Sequence, residues 1–238
     1  MLKVNNVFES ISGEAGGFLQ GSWMTGVRLQ GCNLRCAYCD TPQGQDGNGL
    51  CYEMGVSQVL SMVRKIGNER VLITGGEPLL QEETVELIGE LLRDGRVVQV
   101  ETNGSLPLPL PLPLLTASST DWMPLHWVVD RKGPSSKMQG KMIPLKALAK
   151  EINQMERDDG AVYLKWVVSG DEDVDFMAQE IRELIDLGVV DVPFIASPID
   201  AQGDRINAIV ERLRDRDEQA LLSQIIFSIQ LHKIFKMP

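Results

Sequence analysis

Residues 23–41 read WMTGVRLQGCNLRCAYCDT, and their reading decides the fold. The first seven form a candidate strand. The polar stretch behind them sets Cys32, Cys36 and Cys39 in one short loop with the spacing C-x3-C-x2-C. Strand followed by polar loop then recurs down the chain. Further strand candidates are 71–74 (VLIT), 97–101 (VVQVE), 125–130 (LHWVVD), 162–168 (VYLKWVV), 192–196 (VPFIA) and 225–231 (IIFSIQL). Segments near 56–66, 82–93, 173–187 and 204–214 carry apolar residues at three- and four-residue spacing and read as amphipathic helices. Such alternation predicts an α/β fold with a mostly parallel sheet and crossover helices, a barrel or an open relative of one. In folds of this kind the chemistry collects at the C-terminal ends of the strands.

That rule makes the polar motifs legible. Gly75, Gly76, Glu77 and Pro78 follow the strand ending at Thr74, and Glu101, Thr102, Asn103 and Gly104 close the next. Asp130 to Ser136 (DRKGPSS) follow a third, and Ser197 and Pro198 a fourth. Each run alone is an ordinary turn signal. Their shared place after strands singles out one rim.

Three clustered thiols suit some metal chemistries better than others. A structural zinc site closes four ligands, usually from two separated pairs. A cubane iron–sulfur cluster held by three thiolates keeps its fourth iron open to another ligand. Cys51, twelve residues beyond Cys39 and after QGQDGNG, is a possible fourth ligand, but reads better as an incidental thiol. Disulfide pairing is disfavoured, since no secretory apolar region precedes the cysteines. At 238 residues the chain fits one large domain, and its net charge of −10 argues against a general nucleic-acid surface. No run of about 18 apolar residues occurs, so the chain reads as soluble and cytoplasmic, with no membrane span.

Seven motifs together carry a resemblance: FESISGEAG (8–16), VRLQGCNLRCAYCDT (27–41), TGGEPLLQ (74–81), ETNGS (101–105), KGPSS (132–136), LKWVV (164–168) and SIQLHK (228–233). The cysteine triplet with GGEP resembles the radical S-adenosylmethionine superfamily, and the full set resembles its 7-carboxy-7-deazaguanine synthase family. The resemblance implies a modified, partial TIM-like barrel in a single domain over residues 1–238. An N-terminal substrate-binding segment and a C-terminal strand and tail close its site. It implies a 4Fe-4S cluster, S-adenosyl-L-methionine and Mg²⁺ as cofactors. The implied reaction turns 6-carboxy-5,6,7,8-tetrahydropterin into 7-carboxy-7-deazaguanine, with loss of ammonia, through a 5′-deoxyadenosyl radical, as in deazapurine and queuosine biosynthesis. An external one-electron reductant and a homodimer are expected with it.

Roles carry over by position. Cys32, Cys36 and Cys39 match the cluster ligands, and Thr41 matches the Mg²⁺ position. Tyr38, Gly75, Gly76, Glu77, Thr102, Asn103, Ser135, Lys165 and Ser197 match cofactor contacts. Ser12, Gly13, Glu14, Arg28, Thr74, Gly76, His232 and Pro238 match substrate contacts, with Arg28 as the carboxylate clamp. From sequence alone, Glu14 also reads as an exposed loop acid, Thr41 as a cap, and His232 as a structural residue at a strand end. Ser12 stands where the family commonly has Gln, and the cluster loop lacks the insertion that some members carry. Residues 106–114, LPLPLPLPL, read as an extended polyproline-like connector. Two alternatives remain: another radical enzyme such as a glycyl-radical activase, and a non-enzymatic iron–sulfur electron carrier that recruits Cys51.

Overall fold

A computed structural model describes residues 1–18, 20–110, 124–155, 160–199 and 203–237. One sheet of nine strands organises them, in the spatial order β3-β1-β2-β4-β5-β6-β7-β8-β9. The strands are β1 (Leu2–Ile11), β2 (Trp23–Leu29), β3 (Tyr52–Met54), β4 (Arg70–Gly75), β5 (Val97–Thr102), β6 (Leu125–Arg131), β7 (Ala161–Val168), β8 (Phe194–Pro198) and β9 (Ile225–Phe227). From β2 to β9 every pairing is parallel, whereas β1 runs antiparallel to both β2 and β3. The ends of this order, β3 and β9, do not pair with each other, so the barrel is partial and open as expected.

Crossover helices account for the parallel order. Helix α1 (Val56–Ile66) buries Val59, Leu60 and Val63, one stripe of its surface. It stops at Gly67, whose φ of 91° lets its N–H reach the Val63 carbonyl. Helices α2 (Glu83–Arg93), α3 (Leu145–Gln154), α4 (Asp171–Asp186) and α5 (Gly203–Asp215) follow, then the short α6 (Gln219–Leu222) and α7 (Leu231–Ile234). Buried Leu87, Ile88 and Leu91 of α2, and Val174, Met177, Ile181 and Leu184 of α4, join one continuous core with Val71, Ile73, Val98, Val100, Trp127 and Leu164 of the strands. At about 25 cal/mol per Å² of apolar surface removed from water, that core is the main source of stability.

A buried ion pair locks α4 to the sheet. Arg131 at the end of β6 donates to Glu180 of α4 through Nε (3.1 Å) and Nη2 (2.6 Å). Trp166 of β7 donates its indole N–H to the same carboxylate at 2.8 Å. Both carboxylate oxygens accept charge-assisted bonds and Arg131 Nη1 also donates to the Ile143 carbonyl at 3.0 Å, which offsets part of the cost of burying two charges.

Several expectations are corrected. The strand expected over 225–231 ends at Phe227, and Leu231 opens α7, so His232 lies on a short helix rather than a strand end. Strand β8 begins at Phe194, not at residue 192. Strands β1 and β3 and helix α3 add to the expected set. Of the LPLPLPLPL run, residues 106–110 carry no regular structure and Leu108 is buried in the core, while 111–114 lie outside the described residues. Pro238 also lies outside them.

Candidate active site

One pocket, with a cavity volume of ≈ 220 Å³, opens at the C-terminal ends of the parallel strands. Cys32, Cys36 and Cys39 all line it, none is in a disulfide, and each is partly exposed. No three Cys, His, Asp or Glu side chains among the described residues gather around one metal ion. Three thiols on one rim suit thiolates that bind separate irons of one cluster. Cys51 is away from the pocket lining.

The loop is held by four backbone bonds, three of which involve Gly31, Gly44 or Gly76. Gly31 donates to the Gly44 carbonyl (2.8 Å), Cys32 to Gln45 (3.0 Å), Gly76 to Leu29 (3.0 Å) and Glu77 to Gly31 (2.8 Å). A Cβ on Gly76 would stand 2.1 Å from the Gly31 oxygen and 2.5 Å from that of Gly44. On Gly75, at φ 146°, it would stand 2.1 Å from the Leu29 oxygen. Both positions therefore need glycine so that β4's end can lie flat against the start of the cysteine loop.

Glu77 departs from its expected place. Its side chain is fully buried and away from the pocket lining. One carboxylate oxygen accepts from Thr102 Oγ1 (2.8 Å) and the Leu79 N–H (3.0 Å), and the other from the Asn103 N–H (2.6 Å). Burial pushes its pKa up against those three bonds. Glu77 thus ties β4's end to β5's end, and brings Thr102 and Asn103 to the pocket wall. Asn103 Nδ2 lies 3.6 Å from Cys32 Sγ.

Beyond the thiols, the wall is charged. Lys165 of β7 pairs with Glu14 and, at 3.1 Å, with Asp130, which also pairs with Lys132. Burial disfavours the Lys165 charge, yet the carboxylates of Asp130, Glu14 and Glu101 hold its pKa well above the ordinary value. Burial and the charges of Glu14 and Asp130 raise Glu101 to about 7, against the pull of Lys165 and a 3.1 Å hydrogen bond from Thr74. Glu14, which from sequence also read as an exposed loop acid, is buried here and accepts a second bond from Gln230.

Arg28 lines the next face. Its guanidinium donates to Thr41 Oγ1 at 3.2 Å and lies 5.3 Å from the centre of the Phe8 ring. Among the described residues it has no carboxylate partner. Thr41 donates in turn to Asp40 (3.2 Å), so it is part of a hydrogen-bond chain rather than a side-chain helix cap. Asp40, half-exposed at the pocket rim, is held down to about 2 by a hydrogen bond and the charge of Lys233, against partial desolvation by its neighbours. The chain end folds over this wall: Leu231 N–H donates to the Gly13 carbonyl (2.8 Å), and the His232 ring packs where a Gly13 Cβ would be.

Most expected residues therefore meet. Gly13, Glu14, Arg28, Tyr38, Thr41, Thr74, Gly75, Gly76, Thr102, Asn103, Lys165, Ser197 and His232 line the pocket with the three cysteines. Ser12 and Ser135 stand outside the lining with Glu77. Ser12 Oγ is 3.4 Å from the Glu14 carbonyl, which shapes the loop rather than the pocket. Glu101, Asp130, Lys132, Gln230 and Lys233 line it without having been assigned roles. Two buried hydroxyls, of Tyr38 and Ser135, have no hydrogen-bond partner among the described residues. With the free thiols and the glycine cradle, the Tyr38 orphan, which lines the pocket, fits a site shaped for a bound polar cofactor.

The chain's likeness to known proteins agrees with this geometry. Residues 27–125 match the Radical SAM superfamily. A 7-carboxy-7-deazaguanine synthase of Methanospirillum hungatei is 42% identical over 107 residues, 44% of each chain, so that match spans under half of the relative. The Clostridium acetobutylicum 7-carboxy-7-deazaguanine synthase is 33% identical over 239 residues, 99% of this chain and 96% of that one. The crystal structure of QueE from Escherichia coli shares the fold, with a TM-score of 0.63 at 19% identity over 96% of this chain and 93% of that one. A relative matched almost end to end, on a radical SAM fold with three free thiols at its rim, places the chain in the 7-carboxy-7-deazaguanine synthase family of radical SAM enzymes.

Proposed function

We propose that this chain converts 6-carboxy-5,6,7,8-tetrahydropterin to 7-carboxy-7-deazaguanine, with loss of ammonia. The observation that carries the reading is one pocket wall on which Arg28, with no carboxylate partner among the described residues, stands beside Thr41 and within the same cavity as the three thiols.

Cys32, Cys36 and Cys39 would hold the 4Fe-4S cluster. Gly75, Gly76, Thr102, Asn103, Lys165, Ser197 and Tyr38 would bind S-adenosyl-L-methionine. Ser135 would take part through its unpartnered hydroxyl if the neighbouring side chains shift. Together the two cofactors supply one-electron chemistry that removes hydrogen from substrate. Glu77 acts as a brace for Thr102 and Asn103 and not as a direct ligand.

Arg28 would clamp the pterin carboxylate by charge-assisted hydrogen bonds. Thr41 would offer its hydroxyl to Mg²⁺, an oxygen-seeking ion. The Asp40 carboxylate bonded to that hydroxyl would add negative charge for the ion, and the substrate carboxylate would offset the Arg28 guanidinium beside it. Glu14 and Glu101 would accept the N–H donors on the guanidine-like edge of the pterin, with Thr74 and Gly76 beside them. Gly13 and His232 close the pocket mouth and restrict water. Ser12 would contribute through its loop backbone. The working form we propose is a single-domain chain in a homodimer, fed by an external one-electron carrier.

The test is an anaerobic assay of iron-reconstituted protein with dithionite, S-adenosylmethionine, Mg²⁺ and the carboxypterin, with products followed by mass spectrometry. Formation of 7-carboxy-7-deazaguanine is expected, and Cys36→Ala should abolish both it and the cluster spectrum. If 5′-deoxyadenosine alone appears, the substrate assignment fails. Arg28→Ala is expected to weaken carboxypterin binding by about 1.5–3 kcal/mol, as for loss of a charged hydrogen bond. Isothermal titration checks this, and unchanged affinity removes Arg28 from the clamp.

A further inference from the structure

The chain carries ten more acids' worth of charge than bases, yet residues 131–150, RKGPSSKMQGKMIPLKALAK, contain six cations and no Asp or Glu. Arg131 and Lys132 are buried and paired with Glu180 and Asp130. The other four, Lys137, Lys141, Lys146 and Lys150, are exposed, and none has an acidic partner among the described residues.

Their place is set by backbone contacts. The N–H of Ala37, the residue after Cys36, donates to the Ser136 carbonyl at 3.0 Å, and Lys137 follows Ser136. The Ile143 N–H donates to Gly104 at 3.3 Å, which keeps the segment on the strand-end rim. Lys146 and Lys150 stand four apart on α3 and share one face of it. Inside the cysteine loop, Asn33, Arg35 and Ala37 alternate with the ligands and point to solvent, so the loop's outer side is open next to this basic surface.

We propose that Arg35 with Lys137, Lys141, Lys146 and Lys150 forms the docking surface for an acidic one-electron carrier protein of the flavodoxin or ferredoxin type. The proposal rests on the radical reading above, since a cluster at Cys32, Cys36 and Cys39 needs an electron from outside. A local positive patch on an acidic protein steers an acidic partner and repels the rest of its surface from it, which fixes orientation as well as rate. Half-buried Met138, between Lys137 and Lys141, gives the patch an apolar centre. Structured RNA would also meet positive charge here. The net charge of −10 and the adjacency to the cluster loop favour the carrier.

The experiment uses the reconstituted holoprotein, a flavodoxin as probe, and Lys137→Glu/Lys141→Glu beside wild type. Affinity for flavodoxin should fall at least about tenfold in the variant, with a smaller loss in Lys137→Gln/Lys141→Gln and a steep decline with salt in wild type. Flavodoxin-driven cleavage of S-adenosylmethionine should fall in parallel, while dithionite-driven cleavage stays within about twofold of wild type. Wild-type affinity in the Glu variant would overturn the surface. Binding of a transfer RNA more tightly than flavodoxin, lost in the same variant, would overturn the choice of partner. If dithionite drives no cleavage in either protein, the radical reading fails, and the binding comparison still decides the surface.

Discussion

Gly76→Ala is expected to leave a folded chain that assembles its cluster poorly and turns over about 100-fold more slowly, the cost typical of an ångström-scale misplacement at a reacting centre. The added methyl would meet two backbone oxygens, those of Gly31 at 2.1 Å and Gly44 at 2.5 Å. Backbone cannot swing aside as a long side chain can, so the β4 end or the cysteine loop must move. Movement there also strains the bonds from Gly76 to Leu29 and from Glu77 to Gly31, the latter next to Cys32. The core strands lie below this junction, so the melting temperature should fall modestly compared with activity. Gly140→Ala is the control, since nothing lies within 4 Å of the added methyl and its φ is not positive. Iron content, cluster absorption and turnover of the two variants check this. Full iron content with wild-type turnover in Gly76→Ala would show that the junction yields without consequence.

How much of this was legible beforehand depends on the range of the interaction. The parallel strands announced themselves because both faces are covered, leaving runs such as VLIT and LHWVV almost wholly apolar. Strand β1 did not: its exposed positions are Asn6 and Glu9, an odd spacing of three, and its buried ones include Leu2 and Val4, a pattern broken by a register shift between Val4 and Asn6. Strand β3 is three residues long, below what periodicity can resolve. In the site, the strand-end rule found the rim, and the motif resemblance found most of its lining. Glu77 defeated the motif, because GGEP says nothing about which way the carboxylate turns, and Thr102 with Asn103 supplied the stronger partners. Gln230, bonded to Glu14 across 216 residues, and Lys233, paired with Asp40, depend on where the chain end folds back. No local pattern encodes that.

Lys165→Met should be the most destabilising single change in the pocket. Lys165 is the buried cation that Glu14, Asp130 and Glu101 share, and removing one partner of a buried pair costs about 3–5 kcal/mol because the remaining charges lose their compensation. Asp130 keeps Lys132, so the uncompensated charge falls on Glu14 and Glu101. The sign of the pH dependence follows. Glu101 titrates near 7 in the folded chain, above its ordinary 4.5. Between those values the folded state holds the extra proton, so stability declines as pH rises through the window and the loss is complete above about 7. Without Lys165, whose charge lowers that pKa, Glu101 titrates higher still and the decline extends further. Urea unfolding of the apo protein should therefore show a wider gap between wild type and Lys165→Met at about pH 8 than at about pH 5. Adding Glu14→Gln should recover part of the loss, since it removes one stranded charge. An equal gap at both pH values, or no recovery in the double variant, would mean that Lys165 acts through packing of its stem and not through the three carboxylates around it.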